Sequence, residues 1–390
     1  MHKDYQKTGT MTPHINPFIV SGHIPEAYFC DRQEESELLK RLLCNQQNVV
    51  LSAARRMGKT SLVNHVFEMP KIAENYITIS IDILDTNNFS DFVFTLGNAV
   101  FEKIARRSDK LMKLFPMVMK SLQATFGYDS IKGCPTFDIK LGDIIRPEYT
   151  LLEIFEFLDK ADKRCLVVID EFQQITYYPE TNIEATLRKH IQKVENANFV
   201  FAGSHRRIMS EMFGSEQRPF YNSARSIDLE PIKLDTYIGF AQEKFMERGK
   251  GIDGEAVRHV YETFGGVTLY NQQLMNDAFD ATPVGECCDV ETVQLLIDNF
   301  IEESGKKLKE ILQFVTEQQK AVLYAILADE PVKSITSSAF TKRHRLKSPS
   351  ATQSAMKALL RSDLVTRRDG LYSISDPLMD LWLKKSLFLK

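Results

Sequence analysis

Cysteine is scarce and poorly placed for metal binding. The six in this 390-residue chain, Cys30, Cys44, Cys134, Cys165, Cys287 and Cys288, form no Cys-x-x-Cys pair and no Cys/His cluster at zinc spacing. Cysteine-ligated metal is therefore not expected, and the vicinal Cys287 and Cys288 read as reduced thiols of a cytoplasmic protein rather than as a disulfide. Long apolar runs are missing too: stretches such as 48–54 and 165–169 fall far short of the roughly 20 residues that a transmembrane helix needs, so no membrane association is expected. The opening MHKDYQKTGTMTPHINPF has no apolar segment and no small-residue cleavage site, and residues 1–24 read as a flexible lead-in rather than a secretory signal.

What is present is an ordinary globular composition, 43% apolar and 26% charged, in a chain long enough for two or three domains of roughly 150 residues. The net charge of −3 is unevenly spread. Residues 331–390 hold twelve Lys or Arg against four Asp, a local charge of +8, which leaves −11 for the rest.

Residues 48–52, NVVLS, are β-prone; AARRMGKTS follows, and then LVNHVFEM with helical spacing of its apolar positions. A loop between a strand and a helix can aim backbone N–H groups and the helix N-terminus at phosphates. Gly58 permits close approach of the backbone, Lys59 would reach the β and γ phosphates, and the Thr60 hydroxyl would ligate Mg²⁺, so the expected cofactors are ATP and Mg²⁺. In the pattern G-x-x-x-x-G-K-S/T the first glycine position holds Ala53, a small residue that keeps the loop compact.

Such a site needs acids facing the loop. The continuous apolar run 165–169, of the kind found in buried parallel strands, ends in Asp170-Glu171. Asp170 would hold the Mg²⁺ shell from the side opposite Thr60, and Glu171 would orient or deprotonate an attacking water. A further β-prone run, 198–202, ends in Gly203-Ser204-His205. Ser204, or alternatively His205, could touch the γ-phosphate; equally, Ser204 could cap the helix that follows.

This ordered set resembles the archaeal-type ATPases of the STAND and AAA+ superfamily, which include many bacterial members. Tyr28-Phe29-Cys30-Asp31-Arg32-Gln33-Glu34-Glu35 is similar to the family's leading motif, and the resemblance implies that Phe29 and Arg32 lie near the adenine. Ala54-Arg55-Arg56-Met57-Gly58-Lys59-Thr60-Ser61-Leu62 resembles its double-arginine phosphate loop, so Ala53, Ala54, Arg55, Arg56, Met57 and Ser61 join the nucleotide-binding set. Asp170-Glu171-Phe172-Gln173 resembles its acidic motif and Gly203-Ser204 its sensor strand. Pro219-Phe220-Tyr221-Asn222-Ser223-Ala224-Arg225 is similar to a segment with an arginine before the next strand. Arg225 is therefore either a γ-phosphate sensor, in cis or across a subunit boundary, or a solvated charge. Gly265-Gly266-Val267-Thr268 is similar to the family's GGxP turn with Thr268 in place of proline, and residues 370–383 resemble the end of its winged helix. The marks span about residues 28–383.

The expected fold is an α/β P-loop NTPase domain, three-layered around a parallel sheet, over residues 25–233, with an insertion at 107–147 read as a helix and a hairpin. A helical lid over 234–312 and a winged-helix domain over 313–390 would follow. The strands are read at 48–52, 76–83, 165–169, 198–202 and 226–229, and a terminal hairpin at 364–368 and 371–374 around Asp369-Gly370. A helix at 351–362 would be the recognition element, surrounded by Lys342, Arg343, Arg345, Lys347, Lys357, Arg361, Arg367 and Arg368. That patch suits DNA phosphates, an acidic protein partner or plain solvation. The expected activity is an ATP-hydrolysing switch with slow turnover, whose nucleotide state sets lid and winged-helix position, partner binding or a nucleotide-dependent homo-oligomer. The alternative is a DNA-binding regulatory module with ATP as a structural ligand.

Overall fold

The computed structural model describes residues 16–107, 109–121, 125–129, 134–138 and 144–388, with the backbone alone for 125–129, 134–138 and 388. Contacts within the chain divide it into two compact units: residues 31–231, and a second made of residues up to 30 together with those from 232 onward.

The first unit begins with α1 (Gln33–Cys44) and β1 (Val49–Ser52), then α2 (Lys59–Glu68), α3 (Pro70–Ala73) and β2 (Tyr76–Asp82). After α4 (Phe89–Lys103) come α5 (Asp109–Val118) and an antiparallel hairpin of β3 (Thr125–Asp129) and β4 (Cys134–Asp138). The unit closes with α6 (Pro147–Asp159), β5 (Arg164–Asp170), α7 (Ile183–Ile191), β6 (Ala197–Gly203), α8 (Arg206–Gly214) and β7 (Arg225–Asp228). Five strands form one parallel sheet in the order β2-β5-β6-β1-β7. β6 is buried along its whole length and β5 along its centre, as expected for strands covered on both faces. Within the stretch read as an insertion, α5 is part of the core: the Phe115 ring centroid lies 4.9 Å from those of Phe101 and Phe157.

The register places every strand's C-terminal tip on one edge. Ser52 pairs with Gly203, and Asp82 with Asp170. That edge is where the crossovers of a parallel α/β sheet leave a crevice for ligands.

The second unit holds α9 (Leu234–Met246), β8 (Gly251–Ile252), α10 (Gly254–Thr263), α11 (Thr268–Ala281), β9 (Cys287–Cys288), α12 (Val290–Gln313), α13 (Glu317–Asp329), α14 (Ser338–Arg343), α15 (Pro349–Arg361), β10 (Val365–Arg368), β11 (Leu371–Ile374) and α16 (Pro377–Phe388). The short parallel pairing of β8 with β9 was not foreseen in a region read as all helix. Cys287 and Cys288 are both free thiols.

Two expectations change here. Residues 16–18, placed in a flexible lead-in, are pinned to α9 and α11: Asn16 Nδ2 donates to the Asn276 carbonyl at 2.9 Å, Asn276 Nδ2 donates to the Phe18 carbonyl at 2.7 Å, and the Phe18 ring is fully buried beside Phe240, Phe245 and Phe279. Burying that one ring contributes about 2 kcal/mol toward ordering the segment, and the two Asn bonds add to it. Residues 1–15 lie outside the described residues. Secondly, the lid and the winged helix, drawn as two domains meeting at 312, share one hydrophobic core running from Val257, Leu274 and Ile297 through Leu312 to Leu323, Leu359 and Trp382. The Tyr270 hydroxyl on α11 adds a bond to the Asp376 carboxylate, 2.7 and 2.9 Å from its two oxygens.

Candidate active site

The loop between β1 and α2 opens with Ala53, fully buried, whose N–H donates to the Gly203 carbonyl at 3.3 Å. Arg55 and Arg56 are exposed in the turn, Ala54 is half-buried, and Met57 is buried beneath. Gly58 stands immediately before α2 at φ +88°, a left-handed conformation that an L side chain resists. Glycine is required there for the chain to turn into the helix, and α2 then starts at Lys59, its first N–H groups directed out of the loop. Lys59 is buried, Thr60 is exposed, and Ser61 is half-buried.

The Thr60 hydroxyl donates to Asp170 Oδ2 at 3.0 Å, joining residues 110 apart in sequence. The other Asp170 oxygen accepts from the Glu171 N–H at 2.9 Å. Hydroxyl and carboxylate oxygens are hard donors that suit Mg²⁺, which keeps several of its waters and takes few protein ligands. The donor set at Thr60 and Asp170 therefore fits that ion.

Glu171 has left-handed backbone geometry (φ 55°), which turns the chain at the end of β5. Its Oε2 accepts from the Ser204 hydroxyl at 2.6 Å and from Gln173 Nε2. Burial pushes the Glu171 carboxyl up, but the bonds from Ser204 and Gln173 and the charges of Lys59 and Arg55 outweigh it, leaving the group below the ordinary glutamate value. Glu171 is thus an anion at neutral pH, next to the loop's cations. Ser204 does not cap α8; the residue before that helix is His205, which makes no side-chain cap bond.

One predicted residue lies elsewhere. Arg225 is the first residue of β7 and pairs with Val49, so it sits at the N-terminal end of the sheet, away from the tips that carry Asp170 and Ser204. Its backbone N–H bonds to the Asn48 carbonyl and its side chain is exposed, which removes a sensor role within the same chain. Arg32 is buried and engaged internally, its Nη1 bonded to Glu35 Oε1 at 2.8 Å and its Nη2 to the Glu230 carbonyl at 2.6 Å, so its guanidinium ties α1 to the segment after β7. Phe29 belongs to the second unit.

Two residues at the tips had no assigned role. Asp82 pairs in register with Asp170; desolvation raises its carboxyl, the neighbouring carboxylates Asp170, Glu171 and Asp85 raise it further, and a bond from the Leu84 N–H offsets part of this. The acid at the end of the 76–83 run was the available signal. The other is Gln173, quoted in the acidic motif without a function.

The sheet order, the phosphate loop on β1 and the acid pair on β5 define a P-loop ATPase fold carrying a C-terminal winged-helix domain. The family model named "Probable winged helix domain" matches residues 306–385. Among solved structures, the Walker-type ATPase PABY2304 of Pyrococcus abyssi superposes with a TM-score of 0.65 at 15% identity, covering 94% of this chain and 99% of that one. The ORC2 protein of Aeropyrum pernix, solved as ADPNP-ADP complexes, gives 0.57 at 13% identity over 96% and 98%. The ORC1 protein of the same organism, in complex with DNA, gives 0.51 at 12% over 93% and 94%. A curated relative, the ATP-binding protein MJ1659 of Methanocaldococcus jannaschii, is 24% identical over 159 residues. That match spans 38% of this chain and 43% of the relative. Among the described residues no helix is long and apolar enough to cross a membrane.

Proposed function

We propose that this protein binds ATP with Mg²⁺ in the loop 53–61 and hydrolyses it slowly, as a cytoplasmic switch of the archaeal-type ATPase kind. The observation that carries the reading is the Thr60 to Asp170 bond of 3.0 Å, with Glu171 and Ser204 joined at the adjacent strand tips. Lys59 and the N–H groups that open α2 neutralise the phosphates. Thr60 and Asp170 would hold the Mg²⁺, which when bound would shield phosphate charge. Glu171 takes a proton from the attacking water as the water oxygen bonds to the γ-phosphorus; the bond from that phosphorus to the bridging oxygen breaks, and its electron pair leaves with ADP.

Nucleotide state is transmitted to the lid and, through the core that the lid shares with the winged helix, to the latter's surface. Assembly into a homo-oligomer is one output of that movement, and Arg225 can act only there, across a subunit boundary. Calorimetry with Mg²⁺-ATP tests the reading: the wild type binds, and Lys59→Ala binds roughly 10- to 100-fold more weakly, the value of a charged hydrogen bond. Equal affinity in the two proteins would end it.

A second reading, DNA binding by the winged helix, is favoured by one observation. All eight basic residues from Lys342 to Arg368 named above are exposed on or beside α14, α15 and β10. Duplex DNA titrated at two salt concentrations separates the cases: binding that weakens steeply with salt supports phosphate contacts, and no binding at low salt leaves an acidic protein partner or a solvated basic surface.

A further inference from the structure

We infer that Gln173 is a positioning residue: its side-chain amide fixes the Glu171 carboxylate in the orientation from which it accepts the water proton. The inference rests on the ATPase reading above and adds a residue to it. Gln173 is 2% exposed, and its Nε2 donates to Glu171 Oε2 and, at 3.4 Å, to the Ser204 oxygen. Both donors to the carboxylate converge on Oε2, and Oε1 accepts no hydrogen bond among the described residues. One oxygen is anchored, and the other is left for a ligand.

The far end of the amide strengthens the argument. Among the described residues Gln173 Oε1 is buried without a hydrogen-bond partner, so its desolvation is left uncompensated. Turning the amide over would set that oxygen against the Glu171 carboxylate, so the orphaned acceptor is what the donor facing Glu171 requires. Space for it comes from Gly203: a Cβ there would lie 2.7 Å from Gln173 Oε1 and 2.5 Å from Met209 Sδ. The backbone is held as well, since Gln173 lies in the 3-10 helix Phe172–Tyr177 and its carbonyl accepts from the Thr176 hydroxyl at 2.8 Å. A side chain enclosed in this way is a fixed donor; it has no room to act as a clamp that opens with each turnover.

The test uses the full chain with Mg²⁺-ATP and the near-isosteric Gln173→Met, which keeps the volume and removes the donor. Phosphate release gives kcat and KM, calorimetry gives ATP affinity, and single-turnover assays measure Glu171→Gln and the Glu171→Gln/Gln173→Met double variant. Gln173→Met should lower kcat roughly 10- to 100-fold, the scale of a misplaced catalytic group, with KM and ATP affinity within about 2-fold of the wild type. The double variant should be no slower than Glu171→Gln alone, because the amide then has no carboxylate to place. A Gln173→Met kcat equal to or above the wild type overturns the inference. So does an equal further loss in the Glu171→Gln background, which a purely structural role would produce. Gln173→Asn, shorter but still a donor, checks folding: it should bind ATP normally and recover part of the rate, and a rate no better than that of the Met variant also overturns the inference. A wild type that binds ATP but releases no phosphate removes the ATPase reading itself, a result distinct from all of these.

Discussion

The two ends of the central sheet use polar side chains in opposite ways. At the N-terminal end they are committed to the fold. Asn48 Oδ1 accepts from the Phe199 N–H at 2.9 Å, Arg164 Nε donates to Asn198 Oδ1 at 2.7 Å, and Asn196 Nδ2 donates to the carbonyls of Leu158, Ala161 and Lys163. At the C-terminal end Thr60, Asp170, Glu171, Ser204 and Gln173 bond chiefly to one another. Bonds to backbone complete a ladder that must be satisfied in the folded state. At the C-terminal end the bonds run between side chains that a ligand can displace, whereas at the N-terminal end all but the Arg164–Asn198 pair involve the backbone.

Substitutions at the two ends should therefore separate rate from stability. The largest effect is expected for Glu171→Gln, which should lower kcat roughly 10²- to 10⁴-fold while retaining ATP, as loss of a general base does; unchanged phosphate release would give Glu171 some other task. At the opposite end, Asn48→Ala should leave nucleotide affinity untouched and lower unfolding stability by about 1–3 kcal/mol, because the Phe199 N–H loses its acceptor. Chemical denaturation and calorimetry on the same protein measure both, and a variant that lost ATP binding without losing stability would break the contrast. The smallest effect belongs to Arg225→Ala, an exposed residue expected to change stability by no more than about 0.5 kcal/mol. At concentrations where the chain is monomeric its turnover should match the wild type; a slower monomer would return Arg225 to the site.

Much of the first unit was legible because its strands are short apolar runs flanked by loops, and because Gly58-Lys59-Thr60 and Asp170-Glu171 each end or follow such a run. Arg225 shows where resemblance outran geometry. A residue that opens a strand of a parallel sheet lies at the end opposite the phosphate loop, and residue order alone already implied this. Gln173 escaped notice for a different reason: its part depends on the bare Cα of Gly203 on the neighbouring strand, a packing relation across 30 residues that no local pattern carries. The β8 and β9 pairing escaped because two-residue strands have no periodicity to read. Helical patterns likewise announced the lid and the winged helix without telling which apolar faces meet, so their common core was invisible until the chain was folded.

That common core limits how the C-terminal domain could be exchanged between proteins. α12, 24 residues and about 36 Å long, carries lid residues such as Val293 and Ile297 at one end and Leu308 and Leu312 at the other, and at Gly305 its backbone lies close enough to Trp382 of α16 that a Cβ would sit 2.9 Å from the indole nitrogen. A recombination point at residue 312, the domain boundary read from the sequence, would bare the apolar flank of that helix. A viable graft would have to carry α12 with it, so the helices from α9 onward and the winged helix are inherited together or not at all.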